Sequence, residues 1–175
     1  MALRNKIKNT EIKNKLLEFT TKGVVKFLKE NPKLEFYAFA FDCNAEYGEI
    51  NLCLNTESEF KQTLKNYQNG DSPQYYQTKE DIRDLKYNTG DWSYQCFEST
   101  NVLTENELTN YFENLAEDNY KSWKEFVEDL MHLFCETLVE FRNTEVYKKI
   151  PKTEDFISFC IDHDEDLEAA LKRLK

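Results

Sequence analysis

The sequence predicts an α+β domain: a small mixed or antiparallel sheet, made of a hairpin over residues 34–54 and a late strand over 156–162, covered by several helices. Three observations carry this. Phe36, Tyr37, Ala38, Phe39, Ala40 and Phe41 run without a polar break, whereas a strand with one wet face alternates, so both faces of this strand should be covered. Phe156, Ile157, Ser158, Phe159, Cys160 and Ile161 make a second β-type run far along the chain; it must return to the hairpin, because a two-stranded ribbon alone is at best marginally stable. Between these runs apolar residues recur at three- and four-residue steps, the stripe of amphipathic helices.

In chain order, Ile12, Leu16, Phe19, Val24, Phe27 and Leu28 form one stripe of a helix over about Thr10 to Glu30, and Asn31-Pro32 ends it, since proline cannot continue the hydrogen-bond ladder. The hairpin follows, turning through Asp42 to Gly48, where Asn44 and Gly48 can adopt positive φ. Its second run, Glu49 to Leu54, alternates and is expected near an edge or half exposed. Thr56 caps a short helix to Gln68, with Glu59 in capping-box position. After the loop Asn69 to Pro73 the periodicity weakens: Lys79 to Tyr87 is helical or extended, and residues 88–97 fit either a short helix opening at Thr89 or a strand. Thr104 and Glu107 open a helix to Glu117, and Trp123, Phe126, Val127, Leu130, Phe134, Leu138 and Phe141 stripe the longest one, about Tyr120 to Asn143. Pro151 breaks the chain before the late strand, and a last helix runs from about Asp164 to Leu174.

At 175 residues the chain fits one domain, 1–175, large enough for a core without staples. Aromatic residues make up 14% of it, enough buried area to argue against disorder despite 32% charged residues. No apolar run approaches the roughly 20 residues of a membrane span, and Met1 to Lys15 is charged where a signal peptide would be hydrophobic, so a cytoplasmic place and no membrane partner are expected. Five cysteines without a Cys-x-x-Cys pair read as reduced core thiols. The net charge of −10 is unevenly spread: residues 1–33 hold nine Lys or Arg against three Glu, and residues 34–175 hold 14 against 30. Such a body repels nucleic acid and favours a cationic partner.

Two clusters are candidate sites. Asp162, His163, Asp164 and Glu165, directly after an apolar strand, could hold a hard cation. A calcium loop counted from Asp162 fails, because its sixth and twelfth positions are Leu167 and Arg173, and carboxylates in a first helical turn also simply cap it. The irregular middle offers Tyr75, Tyr76 and Trp92 with Asp81, Asp84 and Asp91, aromatic anchors with an acidic rim that suit a basic protein; the same rings, Trp92 above all, also suit a core. His132 sits four residues from both Glu128 and Glu136, but one such motif does not build a metal centre. A nucleophile elbow, a phosphate-cradling glycine loop and His-Glu-x-x-His are all missing from the sequence.

The Phe36 to Phe41 strand, the Asn55-Thr56-Glu57 step into a helix, the Gly90-Asp91-Trp92-Ser93-Tyr94 segment and the late Phe159 to Glu165 run together resemble the bacterial domain-of-unknown-function family 4303, with Tyr87 and Asn88-Thr89-Gly90 marking a divergent member. The resemblance carries no activity and no catalytic residue. It implies a bacterial cytoplasmic domain and allows an immunity protein encoded beside a polymorphic toxin, a role the acidic charge suits. The expectation is therefore a non-enzymatic binding module for a basic partner, with no cofactor; the alternative is a metal-binding domain or metal-dependent enzyme centred on Asp162, His163, Asp164 and Glu165. The sequence leaves the oligomeric state open.

Overall fold

A computed structural model describes residues 2–70, 74–113, 119–163 and 165–174, with side chains at 9–70, 74–110, 123–163 and 165–174. The described elements are α1 (Ala2–Glu30), β1 (Phe36–Asn44), a 3-10 turn (Ala45–Tyr47), β2 (Glu49–Asn55), α2 (Glu57–Asn69), α3 (Lys79–Tyr87), a second 3-10 turn (Thr89–Asp91), β3 (Tyr94–Asn101), α4 (Glu105–Glu113), α5 (Asn119–Arg142), α6 (Glu145–Lys148), β4 (Lys152–Asp162) and α7 (Leu167–Arg173). The fold is α+β. Its mixed sheet has the order β3-β2-β1-β4, with β1 antiparallel to β2 and parallel to β4.

The unbroken apolar run became the central strand because it has two faces to fill. Phe39, Phe41 and Cys43 point one way with Ile50, Leu52 and Leu54 of β2, against Leu16, Val24 and Phe27 of α1 and Leu130, Phe134, Leu138 and Phe141 of α5. Tyr37, Ala38 and Ala40 point the other way, against Phe60 of α2, Leu85 of α3, Trp92 and Ala170 of α7. On this second face the small Ala38 and Ala40 leave room for large rings: Trp92 lies edge-on to Tyr37 and to Phe159 at 5.8 Å in each case. Phe39, Phe41, Phe134 and Phe141 are fully buried, each worth about 1.5–3 kcal/mol of transfer free energy.

Several expectations are corrected in detail. β2 is interior, flanked by β1 and β3; its alternation does not mark an edge, because its polar positions face a cavity on the second side of the sheet. Residues 88–97 are both things in turn, a 3-10 turn and then the start of β3. β4 begins at Lys152, four residues before the apolar run, and α6 adds a short helix not legible in the periodicity. In the hairpin turn only Gly48 takes positive φ, at 64°, while Asn44 stays at −117°. The helix after Thr104 is described to Glu113, its expected end at Glu117 falling outside the described residues. The last helix begins at Leu167 and is capped by Asp166, through a 2.8 Å bond from the Ala169 amide.

The basic N-terminal helix folds against the acidic remainder. Lys13 reaches Glu140 at 3.0 Å on α5, and Lys26 reaches Glu98 at 2.6 Å on β3. Among the described residues, no helix is long and apolar enough to cross a membrane.

Candidate functional site: an acid-lined cavity

Side chains alternate along a strand, so the residues that share a face with Ala38 and Ala40 are Asp42 and Asn44. In β2 the corresponding positions are Asn51 and Glu49, paired in register with Asp42 and Asn44. The second face of the sheet therefore changes character along its length, from an aromatic cluster at one end to a polar floor at the other. Above that floor lies a cavity of about 630 Å³, walled by α3, the Thr89–Asp91 turn, the start of β3 and the loop from β4 into α7.

Each wall is fixed by local hydrogen bonds. Asn88 Oδ1 accepts from the Gly90 amide at 3.2 Å while its Nδ2 donates to Asp91 at 2.7 Å, holding the turn. Thr89 is buried there, close enough to the Asp42 carboxylate to favour its charged form. On the opposite wall, Asp162 Oδ1 accepts from the Ala45 and His163 amides at 3.3 and 3.0 Å, which ties the end of β4 to the end of β1. Glu165 accepts from the Asp162 amide at 3.2 Å and forms a two-pronged ion pair with Arg173.

Among the described residues, six of the lining side chains are carboxylates, Asp42, Glu49, Asp84, Asp162, Glu165 and Asp166, and none is lysine or arginine. Arg173 neutralises Glu165 from behind; the other five leave the cavity strongly negative. Burial is the main cause lifting the Asp42 carboxyl above its ordinary range, against the nearby Thr89 and His163 that favour its charged form. Tyr76 and Tyr87 add aromatic surface to the walls.

Two residues bordering this cavity carry unusual backbones. Tyr76 and Cys96 have φ of 57° and 50°, the only positive-φ residues other than glycine among the described residues. The left-handed conformation costs an L-residue roughly 1–2 kcal/mol. Cys96 adopts it where the β2–β3 register slips: Leu52 pairs with Glu98 but Leu54 with Tyr94, so three residues of β3 oppose the single Cys53. The Cys96 amide donates to Cys53 Sγ at 3.3 Å, the Cys53 thiol donates to the Asn51 carbonyl at 3.9 Å, and the closeness of Cys53 draws the exposed Cys96 thiol below its ordinary range.

The two clusters expected from the sequence meet here. Tyr76 and Asp84 from the aromatic middle, and Asp162, His163 and Glu165 from the late run, line the same cavity. Asp164 lies outside the described residues. Tyr75 is exposed nearby, at 59%. Asp81 serves the capping box of α3 with Thr78, and Asp91 is engaged by the Tyr67 hydroxyl at 2.5 Å and by Asn88. Trp92 is corrected: at 2% exposure, with its indole N–H donated to the Lys86 carbonyl at 2.9 Å, it belongs to the core and offers no contact surface. Among the described residues no group of three or more His, Cys, Asp or Glu side chains is placed to hold a metal ion. His132 is exposed on α5, where its neighbour Glu136 faces Lys13 at 3.8 Å. The sequence reading missed Asp42, Glu49, Asn51, Thr89 and Cys96. Their signal was the polar break ending the apolar run and the alternation in β2.

A family model described as Domain of unknown function (DUF4303) matches residues 16–175, nearly the whole chain. The chain belongs to this family. No curated protein and no solved structure matches the DUF4303 domain described here. Its site has therefore to be interpreted from its own geometry.

Proposed function

We propose that this DUF4303 domain is a non-enzymatic binding module of the bacterial cytoplasm that receives basic side chains of a protein partner in the acid-lined cavity. Inhibition of a basic toxin domain, in the manner of an immunity protein, is the role this chemistry suits. One observation carries the reading: carboxylates from β1, β2, α3 and the β4–α7 loop converge on one cavity whose described lining residues include no lysine or arginine. A volume of about 630 Å³ is ample for an arginine or lysine side chain, and Tyr76 and Tyr87 offer ring faces of the kind that attract a guanidinium. The acidic body supports fast, salt-sensitive encounter with such a partner.

The test compares capture from host cells by the wild-type chain and by the triple variant Asp42→Asn, Glu49→Gln, Asp84→Asn. The proposal expects a lysine- and arginine-rich protein that wild type retains at low ionic strength, releases by about 0.5 M salt, and that the variant fails to retain. Equal capture by both proteins, unaffected by salt, would overturn it.

A further inference from the structure

Five thiols are present, and burial divides them: Cys43, Cys53, Cys135 and Cys160 are buried while Cys96 is exposed on the cavity wall. Cys96 and Cys53 are not neighbours by sequence but by the slipped register of β2 and β3, 43 residues apart in the chain. With the Cys96 amide nitrogen 3.3 Å from Cys53 Sγ, and an N–Cα bond of about 1.46 Å, that sulfur lies no more than roughly 4.8 Å from the Cys96 Cα. A sulfur that near the other cysteine's Cα lies within the span a disulfide bridge covers.

We propose that Cys53 and Cys96 form a thiol–disulfide couple on the cavity wall, with Cys96 the attacking sulfur, Cys53 the resolving one, and a cationic low-molecular-mass disulfide the oxidant. The Cys96 thiolate attacks one sulfur of the small disulfide R–S–S–R. That S–S bond breaks, and its electron pair leaves on RS⁻, which takes up the proton Cys96 gave. The Cys53 thiol then attacks the Cys96 sulfur of the mixed disulfide, passing its proton to the second departing RS⁻. The chain loses two electrons and two protons, and the small disulfide becomes two RSH.

The two cysteines are suited to different steps. The exposed Cys96 can be reached by a dissolved disulfide, whereas the buried Cys53 can meet only a sulfur already carried by Cys96. Asp42 and Glu49 in the same cavity oppose ionisation of Cys96 and also repel anionic reagents. Selection of a cationic disulfide follows from this field, and it does not depend on the partner-binding reading.

The experiment uses the full chain, reduced, with cystamine and with glutathione disulfide as probes, followed by mass spectrometry of the intact protein and of its peptides. The expected result is a protein that loses two hydrogens and yields a Cys53–Cys96 cross-linked peptide, with cystamine reacting at least roughly tenfold faster than glutathione disulfide at low salt. Cys53→Ser should stop the reaction at the mixed disulfide on Cys96. Limited alkylation of the wild type, which needs no variant to fold, should label Cys96 first. The proposal is overturned if Cys96 is alkylated no faster than the four buried thiols, if oxidation pairs other cysteines, or if the two disulfides react equally.

Discussion

The two faces of the sheet share strands yet do different work, and the difference lies in what their alternate positions carry. Toward α1 and α5, β1 and β2 present Phe39, Phe41, Cys43, Ile50, Leu52 and Leu54, all fully buried, from end to end. Toward α2, α3 and α7, the same strands begin with Tyr37, Ala38, Ala40 and Cys53 and finish with Asp42, Asn51 and Glu49. The first face is a dry core whose role is stability. The second is a core for half its length and a polar cavity for the rest, and both left-handed non-glycine residues among the described ones stand beside that cavity. Strain and buried polarity concentrate where packing alone does not need them.

Truncation on the dry face should have the largest effect. Phe134→Ala leaves a void beneath fully buried neighbours and is expected to cost about 3–5 kcal/mol, read from urea unfolding. At the aromatic end of the second face, Tyr37→Phe removes a hydroxyl that donates to the Lys86 carbonyl at 2.5 Å and accepts from Asn55 Nδ2 at 3.1 Å. The expected loss is about 1–2 kcal/mol, less than the phenylalanine truncation, and a larger one would place the stability centre on the wrong face.

At the cavity floor the sign reverses. Because folding raises the Asp42 carboxyl above its ordinary 3.8, the folded chain binds the extra proton more tightly than the unfolded one. Stability from this group is therefore greatest below that value and falls as pH rises through the folded-state pKa. Asp42→Asn should remove this fall, so stability profiles of wild type and variant from pH 3 upward should diverge in the variant's favour above about pH 4. The smallest stability effect is expected at Asp84→Asn, an exposed cavity residue, within about 0.5 kcal/mol of wild type. Its effect should appear in partner binding instead, so a large change in unfolding midpoint would make the cavity a structural feature rather than a binding one.

Much of the fold was legible because it depends on continuous patterns. The Phe36 to Phe41 run, the helical stripes and the cap at Thr104, which exchanges bonds of 3.3 and 2.8 Å with Glu107, all act within a few residues. β3 was harder, since Tyr94 to Asn101 is a mostly polar edge strand with a bulge, lacking the apolar alternation that marks strands. Half of the site was visible as two acidic clusters, but not that they were one site. That requires the parallel return of β4 beside β1, which sets Asp162 opposite Cys43 and brings the β4–α7 loop over Asp42. Local sequence cannot report a pairing between residues more than a hundred positions apart.

The most direct measurement is an NMR titration of the full chain with an arginine-rich peptide at low and high salt. A cavity that takes basic side chains predicts saturable amide shifts centred on Asp42, Asn51, Thr89 and His163, lost at high salt and in the Asp42→Asn, Glu49→Gln, Asp84→Asn variant. Shifts scattered over the acidic surface, or centred on α1 and α5 and indifferent to the three substitutions, would contradict it.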